Sequence, residues 1–291
     1  MQPKTKDWAL LFGLAAIWGL SFPVLSIAVE TVPPSTTVAV RMVIGAITIW
    51  LIMKLRGLSF PREIRLIVIP ALVGIIGNAV PFTLISWGQA AVGASLAGIL
   101  MAIMPLGTLI LAHFFSEGER MNTRGLTGFG LGFAGIILLM GPSALNGLGD
   151  DTLIRQVSIL AGALCYAVSA IIARRAAAID PIVSTTIALI SGALVMVPFS
   201  LIVDQPWTAQ PDLPALLSLL YLGVAATALG NFVYFLIASR TGAGFLSLTN
   251  YLIPVLAVLF SIMMLAEMPS ALSLAALGII LVGVWLSQRD K

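Results

Sequence analysis

Ten long apolar segments divide this chain of 291 residues, and the connections between them are too short to hold a soluble domain. A membrane-spanning helix needs about 20 predominantly apolar residues. Reading from one charged or Pro/Gly break to the next places the predicted spans at residues 8–29, 36–53, 64–87, 92–115, 124–141, 154–174, 181–203, 213–238, 243–265 and 270–287. The sequence therefore predicts an all-α integral membrane protein with ten transmembrane helices.

The composition points to the same fold class, because 59% of the residues are hydrophobic and 9% are charged. A soluble domain is about 25% charged. So few charges cannot cover the surface of a soluble globule, which excludes a soluble enzyme, a disordered protein and a secreted disulfide scaffold. The net charge of +3 does not indicate nucleic-acid binding, because the basic residues lie in short connections. One histidine and one cysteine leave no ligand set for a metal, and we expect no cofactor.

Lysine and arginine are distributed unevenly over the connections, and this predicts the orientation of the chain. With the N-terminus in the cytoplasm, 13 of the 15 basic residues lie on the cytoplasmic side, Arg155 lies outside, and Arg41 lies within the second span. This asymmetry follows the positive-inside rule, so both termini are predicted to be cytoplasmic. The first span could instead be a cleaved signal peptide behind Lys4 and Lys6. It is longer than a signal core of about 7–15 residues, so we expect it to be retained.

Residues 8–141 and 154–287 form an internal repeat, in which each half ends with the spacing E-x10-G-x4-G. The matches, at offsets of 148 or 149 residues, pair Trp18 with Tyr166, Ser21 with Ser169, Gly93 with Gly242, Pro105 with Pro254 and Glu119 with Glu267. Each unit holds five spans, an odd number, so the second unit crosses the membrane in the opposite direction. The sequence thus predicts two inverted-topology repeats, at 1–141 and 154–291 with an outer linker at 142–153. This architecture suits alternating access around a central site.

The two units resemble tandem EamA modules of the drug/metabolite transporter superfamily. The resemblance rests on Arg41 in the second span, on Gly93-Ala94 leading to Pro105, and on the E-x10-G-x4-G ending of each half. It implies a ten-helix carrier in a bacterial inner membrane that exports amino acids or other small metabolites. Within the superfamily the chain is most similar to the aromatic amino-acid and paraquat exporter branch. The resemblance further implies that the first four helices of each half line the cavity.

Polar and aromatic side chains in the middle of spans are the candidate substrate-binding residues. Trp18 lies about 15 Å from either end of its span, where an indole N–H needs a partner or a wet cavity. Buried amides are likewise costly in lipid unless they meet a partner or water. The candidates are Trp18, Ser21, Asn78, Phe82, Met101, Tyr166, Ser169, Asn231, Tyr234 and Asn250. Pro105 and Pro254 are predicted hinges, because proline removes a backbone hydrogen bond and can kink a helix.

Structural roles compete with these functional ones. Trp18 and Tyr166 could be packing residues with local backbone hydrogen bonds, the asparagines could join helices, and the prolines could be static kinks. Arg41 is the only lysine or arginine that lies away from the ends of a predicted span, and it could attract a substrate carboxylate. It could instead snorkel outward or bond to carbonyls at a helix end, and we favour this structural role.

The residues that are missing also constrain the function. No Asp or Glu lies deep in any predicted span, which disfavours proton antiport through a buried carboxylate. The spans hold no catalytic constellation, so we expect no enzyme. An aromatic, amide-rich cavity suits a neutral or zwitterionic small molecule. We therefore expect a monomeric carrier that exports amino acids, aromatic or otherwise neutral, and related small metabolites by alternating access. The alternatives are an exporter of amphipathic drugs such as paraquat, and a non-transporting receptor or channel.

Overall fold

The computed structural model describes residues 4–115, 122–145, 151–173, 179–241 and 243–288, and every regular element in these ranges is helical. The first half contains α1 (Thr5–Thr31), α2 (Pro34–Leu55), α3 (Arg65–Gln89), α4 (Ala94–Phe115) and α5 (Thr123–Leu145). The second half contains α6 (Asp151–Ala173), α7 (Pro181–Val203), α8 (Leu213–Tyr221, Leu222–Leu229 and Gly230–Thr241 in one run), α9 (Thr249–Leu265) and α10 (Ala271–Gln288). Within the described residues, eight helices are long and apolar enough to cross a membrane, and α9 and α10 are shorter apolar helices.

The two halves pack against each other with an approximate two-fold relationship. Helix α1 packs on α8 and α9, the third and fourth helices of the second half, and α6 packs on α3 and α4, the third and fourth helices of the first. Helix α2 packs on its counterpart α7, and α5 packs on its counterpart α10. These main contacts between the halves occur in matched pairs, and the structure confirms the predicted all-α membrane fold of two inverted five-helix repeats.

The two predicted hinge prolines lie in different backbone settings. Helix α4 is interrupted at residues 102–103, where the N–H groups of Ala102 and Ile103 bond three residues back. Pro105 follows in the first turn of the resumed helix, where its missing N–H is not needed. Pro254 lies inside α9, which continues through it, and the break on that side comes earlier, at residues 247–248. The backbone interruption is therefore next to the proline in one half only.

Small residues allow the closest approaches between helices. Gly128 of α5 and Gly283 of α10 face each other so closely that a Cβ built on Gly283 would lie 2.6 Å from the Gly128 carbonyl oxygen. A Cβ on Gly19 of α1 would lie 2.7 Å from Leu256 Cβ of α9. Lipid tails are as apolar as side chains, so such close packing is a main source of helix association in a bilayer.

Carboxylates link the helix ends between the halves. Both carboxylate oxygens of Glu267 accept hydrogen bonds from the backbone N–H groups that begin α4, those of Ala94 (3.0 Å) and Ser95 (2.9 Å). The first N–H groups of a helix have no partner within it and attract negative charge, so this cap satisfies two of them. Two parts of the repeat motif, Gly93-Ala94 and the glutamate of E-x10-G-x4-G, are therefore in contact across the halves.

The corresponding pair in the other half, Glu119 and Gly242, lies outside the described residues, as does part of the predicted linker, 146–150. The same holds for five of the basic residues that predict the orientation: Arg120, Arg174, Arg175, Arg289 and Lys291.

The first helix of each half is also tied at its start to the other half. Where α1 begins and α8 ends, Asp7 Oδ1 lies 3.1 Å from Arg240 Nε. Where α6 begins and α3 ends, Arg155 Nη1 donates to the Trp87 carbonyl oxygen at 2.7 Å. The repeat relates these two places, and in the inverted arrangement they lie at opposite ends of the bundle.

Substitution of Gly283 by alanine should destabilise the protein, because the added methyl group meets backbone of α5. Gly278, one and a half turns earlier on α10, is a matched control, since a Cβ there meets nothing within 4 Å. We expect Gly283→Ala to lower the free energy of unfolding by about 1–3 kcal/mol. Gly278→Ala should leave it unchanged or raise it slightly, because alanine favours helix over glycine. Thermal unfolding in detergent measures both, and equal melting temperatures would contradict the packing described here.

Candidate substrate-binding site

Two π-helical segments lie at related places in the two halves, Ile75–Ala79 in α3 and Leu222–Leu229 in α8. Moving the first by 148 residues places it at 223–227, inside the second. A π-helical turn interrupts the regular hydrogen-bond ladder and is frequent at functional sites. Nothing in the hydrophobic pattern of the sequence predicts either segment. They bring backbone and side-chain polar groups to the middle of the bundle.

Trp18 of α1 contacts the π-helical segment of α8. Its indole Nε1 donates a hydrogen bond to the Ala226 carbonyl oxygen at 2.9 Å. The centroid of the Trp18 ring lies 5.7 Å from the centroid of the Tyr234 ring. Tyr234 is also on α8, eight residues after Ala226. Gly230 makes room for the indole, since a Cβ there would lie 2.6 Å from Nε1. The midplane indole therefore has its partner on a helix of the other half rather than in its own.

Tyr166 of α6 makes the corresponding contact in the other direction. Its ring packs edge-on against Phe82 of α3, with 6.3 Å between the centroids. Trp18 and Tyr166 are repeat-related, and both are partly exposed in the structure. The structure thus contains two aromatic pairs, one between α1 and α8 and one between α6 and α3.

Arg41 of α2 lies beside the Phe82–Tyr166 pair and is buried, with 6% of its surface exposed. Its Nε donates to Thr227 Oγ1 at 2.7 Å, and its Cζ lies 3.7 Å from the centroid of the Phe82 ring. The snorkelling and helix-end alternatives considered for Arg41 are therefore wrong for this structure: the side chain points into the bundle.

Two glycines explain how the guanidinium reaches α8. A Cβ on Gly45 of α2 would lie 3.0 Å from Thr227 Cγ2, and a Cβ on Gly223 of α8 would lie 2.5 Å from Ile44 Cβ. The absence of side chains at these positions lets α2 and the π-helical segment of α8 approach closely. Thr227 is thereby held beside Arg41.

Three predicted site residues are engaged locally or packed tightly. Ser21 Oγ donates to the Trp18 carbonyl oxygen at 2.6 Å, and Asn231 Nδ2 donates to the Thr227 carbonyl oxygen at 2.6 Å. Ser169 is buried where α6 crosses Gly77 of α3, in a contact that leaves no space for a side chain on that glycine. These side chains support the helices that carry the aromatic pairs, and the structure does not join them to the aromatic rings.

The remaining three predicted residues are partly exposed. Met101 packs against the apolar clusters on both sides of α4. Asn78 follows Gly77 in the π-helical segment of α3, and Asn250 lies in the first turn of α9. Within the described residues, neither asparagine side chain makes a hydrogen bond.

Sequence reasoning missed two residues that the structure places beside the site. Thr227 accepts from Arg41, and the Tyr221 hydroxyl donates to the Ile17 carbonyl oxygen at 2.8 Å, which joins α8 to α1. Threonine is common in apolar helices, so Thr227 carries no signal by itself. The sequence signal that could have identified it is its position four residues after Gly223, on the helix that faces Arg41 in the structure.

Acidic side chains are absent from this site. Among the described residues, the one buried carboxylate is that of Asp7, at the start of α1 and next to Arg240. In the same part of the chain, no three His, Cys, Asp or Glu side chains lie close enough to hold a metal ion. The arrangement offers aromatic faces, hydroxyl groups and one cation, which can bind an organic molecule without covalent chemistry.

Comparison with known proteins identifies the family that shares this architecture. The profile of the EamA-like transporter family matches the chain twice, at residues 7–141 and 154–288. The chain is 27% identical over 284 residues to the uncharacterized inner membrane transporter YedA of Escherichia coli, covering 97% of this chain and 90% of that protein. It is 24% identical over 291 residues to a probable terminal-alkyne amino-acid exporter of Streptantibioticus cattleyicolor, covering 99% and 95%.

A crystal structure of another protein shares the fold, with a TM-score of 0.69 at 19% identity over 99% of this chain and 98% of that one. Since the family profile covers nearly the whole length in two copies, the protein is a multi-pass membrane transporter rather than an enzyme, and the chain belongs to the EamA-like transporter family.

Proposed function

We propose that this transporter exports neutral, zwitterionic amino acids and related small metabolites, and that the two aromatic pairs form its binding site. The observation that carries the proposal is the buried guanidinium of Arg41, which lies against Phe82 of one aromatic pair and donates to Thr227, the neighbour of the Ala226 whose carbonyl binds Trp18 of the other pair. Ligand sites for small molecules are lined mainly by apolar and aromatic groups, with a few polar groups that fix orientation. The name of the Streptantibioticus cattleyicolor relative, an amino-acid exporter, agrees with this substrate class.

The packing of the halves supplies the transport mechanism. Trp18 and Tyr166 belong to α1 and α6, and each of these helices packs on two helices of the other half. When the halves rock, the link between Asp7 and Arg240 at one end and that between Arg155 and Trp87 at the other form and break in turn. The site is then open to one side of the membrane at a time, as in other inverted-repeat carriers.

The charges of the site limit its coupling and its cargo. No acid of the described residues lies beside the aromatic pairs, so transport follows the substrate gradient instead of a proton carried by a central carboxylate. A dicationic drug such as paraquat is disfavoured, because it would meet the charge of Arg41 in a medium of low dielectric constant.

The proposal extends to the setting of the protein. We place it in a bacterial inner membrane as a monomer with both termini in the cytoplasm. Residues 1–141 and 154–291 are its two functional halves, joined by an outer linker at 142–153. The inner-membrane assignment of the Escherichia coli relative and the excess of basic residues in alternate connections support this placement.

Purified protein in liposomes should exchange amino acids without ATP. Vesicles loaded with unlabelled L-phenylalanine should accumulate labelled L-phenylalanine from outside by counterflow, and protein-free vesicles should not. A panel of other neutral amino acids and amphipathic drugs defines the range. No exchange of any compound in the panel would refute the proposed carrier function.

Removal of either central aromatic ring should impair exchange. Trp18→Ala leaves the Ala226 carbonyl without its donor and Tyr234 without its neighbour, and Tyr166→Ala exposes Phe82 in the same way. Each loss is worth about 1–3 kcal/mol, so we expect the exchange rate at low substrate concentration to fall by a factor of about 5 to 150.

Trp50→Ala is the matched control for these variants, because Trp50 is 38% exposed on α2. Its exchange rate should stay within about twofold of the parent at equal protein in the vesicles. Equal losses in all three variants would show that the central rings serve only general stability.

The orientation is tested at two exposed loop positions, Arg62 before α3 and Gln210 before α8. Single cysteines there, in a Cys165→Ser background, should differ in their reaction with a membrane-impermeant maleimide applied to whole cells. Because equivalent loops of inverted repeats lie on opposite sides, Gln210→Cys should react in intact cells and Arg62→Cys only after permeabilisation. Reaction of both in intact cells would contradict the inverted orientation.

A further inference from the structure

We propose that the Arg41 guanidinium binds the carboxylate of the transported substrate, which makes a carboxylate part of the substrate class. This inference rests on the proposed transport function. It concerns a residue that the fold has buried in the bundle interior, against the ring of Phe82 and the hydroxyl of Thr227.

The positive charge of Arg41 is buried without a negative partner. With 6% of its surface exposed, the residue has lost most of its contact with solvent, and no carboxylate of the described residues forms an ion pair with it. An uncompensated buried ion costs several kcal/mol even after local relaxation. The side chains that contact it, Phe82 and Thr227, carry no charge. The site therefore lacks one negative charge.

The guanidinium also retains hydrogen-bonding capacity. An arginine carries five N–H donors in a planar fork. Within the described residues, its Nε is bonded to Thr227, and the two Nη atoms have no acceptor. A carboxylate matches the fork with two parallel charge-assisted hydrogen bonds, which are about twice as strong as neutral ones.

The repeat shows that the fold does not require a cation at this place. The first residues of α2 and α7, Pro34 and Pro181, are 147 residues apart, and other repeat matches are 148 or 149 apart. The position equivalent to Arg41 in α7 therefore lies among Ala188, Leu189 and Ile190, which are all apolar. Ile190 packs in the apolar cluster between α2 and α7. A helix in the same architectural position is thus stable with an apolar side chain, and the arginine adds something that packing does not need.

The neighbours of Arg41 define how such a substrate would lie. Its Cζ contacts Phe82, which pairs with Tyr166, and its partner Thr227 follows Ala226, whose carbonyl binds Trp18. A carboxylate on the guanidinium therefore leaves the rest of a small molecule next to the Phe82–Tyr166 pair, on the side where Thr227 connects to the π-helical segment of α8. An amino acid with an apolar or aromatic side chain fits this sequence of groups: charge at Arg41, side chain against the rings.

The competing explanation is that Arg41 only ties α2 to α8 through Thr227. The two explanations differ in the effect of Thr227→Val, which removes the tie and keeps the charge. They also predict different transport of a substrate analogue that lacks the carboxylate. L-Phenylalaninamide is such an analogue, since it keeps the ring and the amino group of L-phenylalanine.

The experiment compares the two compounds as competitors of labelled L-phenylalanine counterflow, and as labelled substrates themselves. The parent protein should prefer L-phenylalanine over the amide by at least about tenfold, the value of one charged hydrogen-bonded pair. Arg41→Gln should lose this preference and carry both compounds at similar, low rates. Thr227→Val should keep it.

Further variants and outcomes separate loss of recognition from loss of folding. Arg41→Lys keeps the charge without the fork, so its preference should fall between those of the parent and Arg41→Gln, even if Arg41→Gln melts too low to assay. Exchange of both compounds without preference by the parent would overturn the role of Arg41 and leave the transport function standing. An unchanged preference in Arg41→Gln would also overturn it. If the parent exchanges neither compound nor any other amino acid, the transport proposal fails and this inference fails with it.

Discussion

The first helix of each half packs against the third and fourth helices of the other half, and the remaining features of the structure depend on this packing. It is possible because glycines such as Gly19 and Gly88 leave no side chain at the crossings. In a bilayer the hydrophobic effect does not drive helices together, so close contact of backbones has to supply much of the association. This packing also determines which side chains meet at the centre of the bundle. Helix α1 carries Trp18 to a carbonyl of α8, and α6 carries Tyr166 to Phe82 of α3, so neither aromatic pair exists within one half alone.

Polar groups in the structure follow a division between the ends of the bundle and its centre. At the ends, carboxylates meet partners that the fold always provides, as Glu267 does with the first N–H groups of α4 and Asp204 with the N–H and hydroxyl of Thr36 at the start of α2. These contacts need no substrate, because each joins a charge to groups that would otherwise lack hydrogen bonds. At the centre the donors outnumber the acceptors: Arg41 has one bonded nitrogen and no acid among the described residues beside it. The carboxylates Glu267 and Asp204 thus have partners at the helix ends, whereas the imbalance at Arg41 lies at the centre, where a substrate can correct it.

The sequence predicted the parts of this structure that depend on hydrophobic length and on repetition. Ten spans and two antiparallel units followed from apolar runs and from residues such as Trp18 and Tyr166 that recur at a fixed offset. It could not predict the π-helical segments, since the extra residue in a turn is stabilised by contacts with other helices and leaves no local pattern. For the same reason it did not find Thr227. It placed Arg41 at the right depth but assigned the wrong direction, because a side chain about 9 Å inside a span can reach either the interface or the interior. Gly45 and Gly223 allow the Arg41 side chain to point into the bundle, but they lie on two different helices, and only the structure shows that they face each other.

The two halves are alike in backbone and differ in the side chains at the centre. The likeness allows alternating access, and the differences allow an asymmetric substrate to be recognised. Alternating access requires that the two halves can adopt each other's conformations, and this is a property of the backbone and of the matched helix contacts. Gly74 and Gly223, which are 149 residues apart, serve that purpose: each faces the second helix of the opposite half, at Ala188 and Ile44. Recognition needs the reverse, because a substrate with a head and a tail is asymmetric. At the centre the repeat accordingly sets Trp18 against Tyr166, Arg41 against an apolar residue of α7 and Thr227 against Asn78. If a single cation lay on the symmetry axis or had a twin, a zwitterion could bind in two orientations. With one guanidinium on one side, the carboxylate has a single place to bind, and the same bound orientation is presented to both faces of the membrane as the halves exchange shapes.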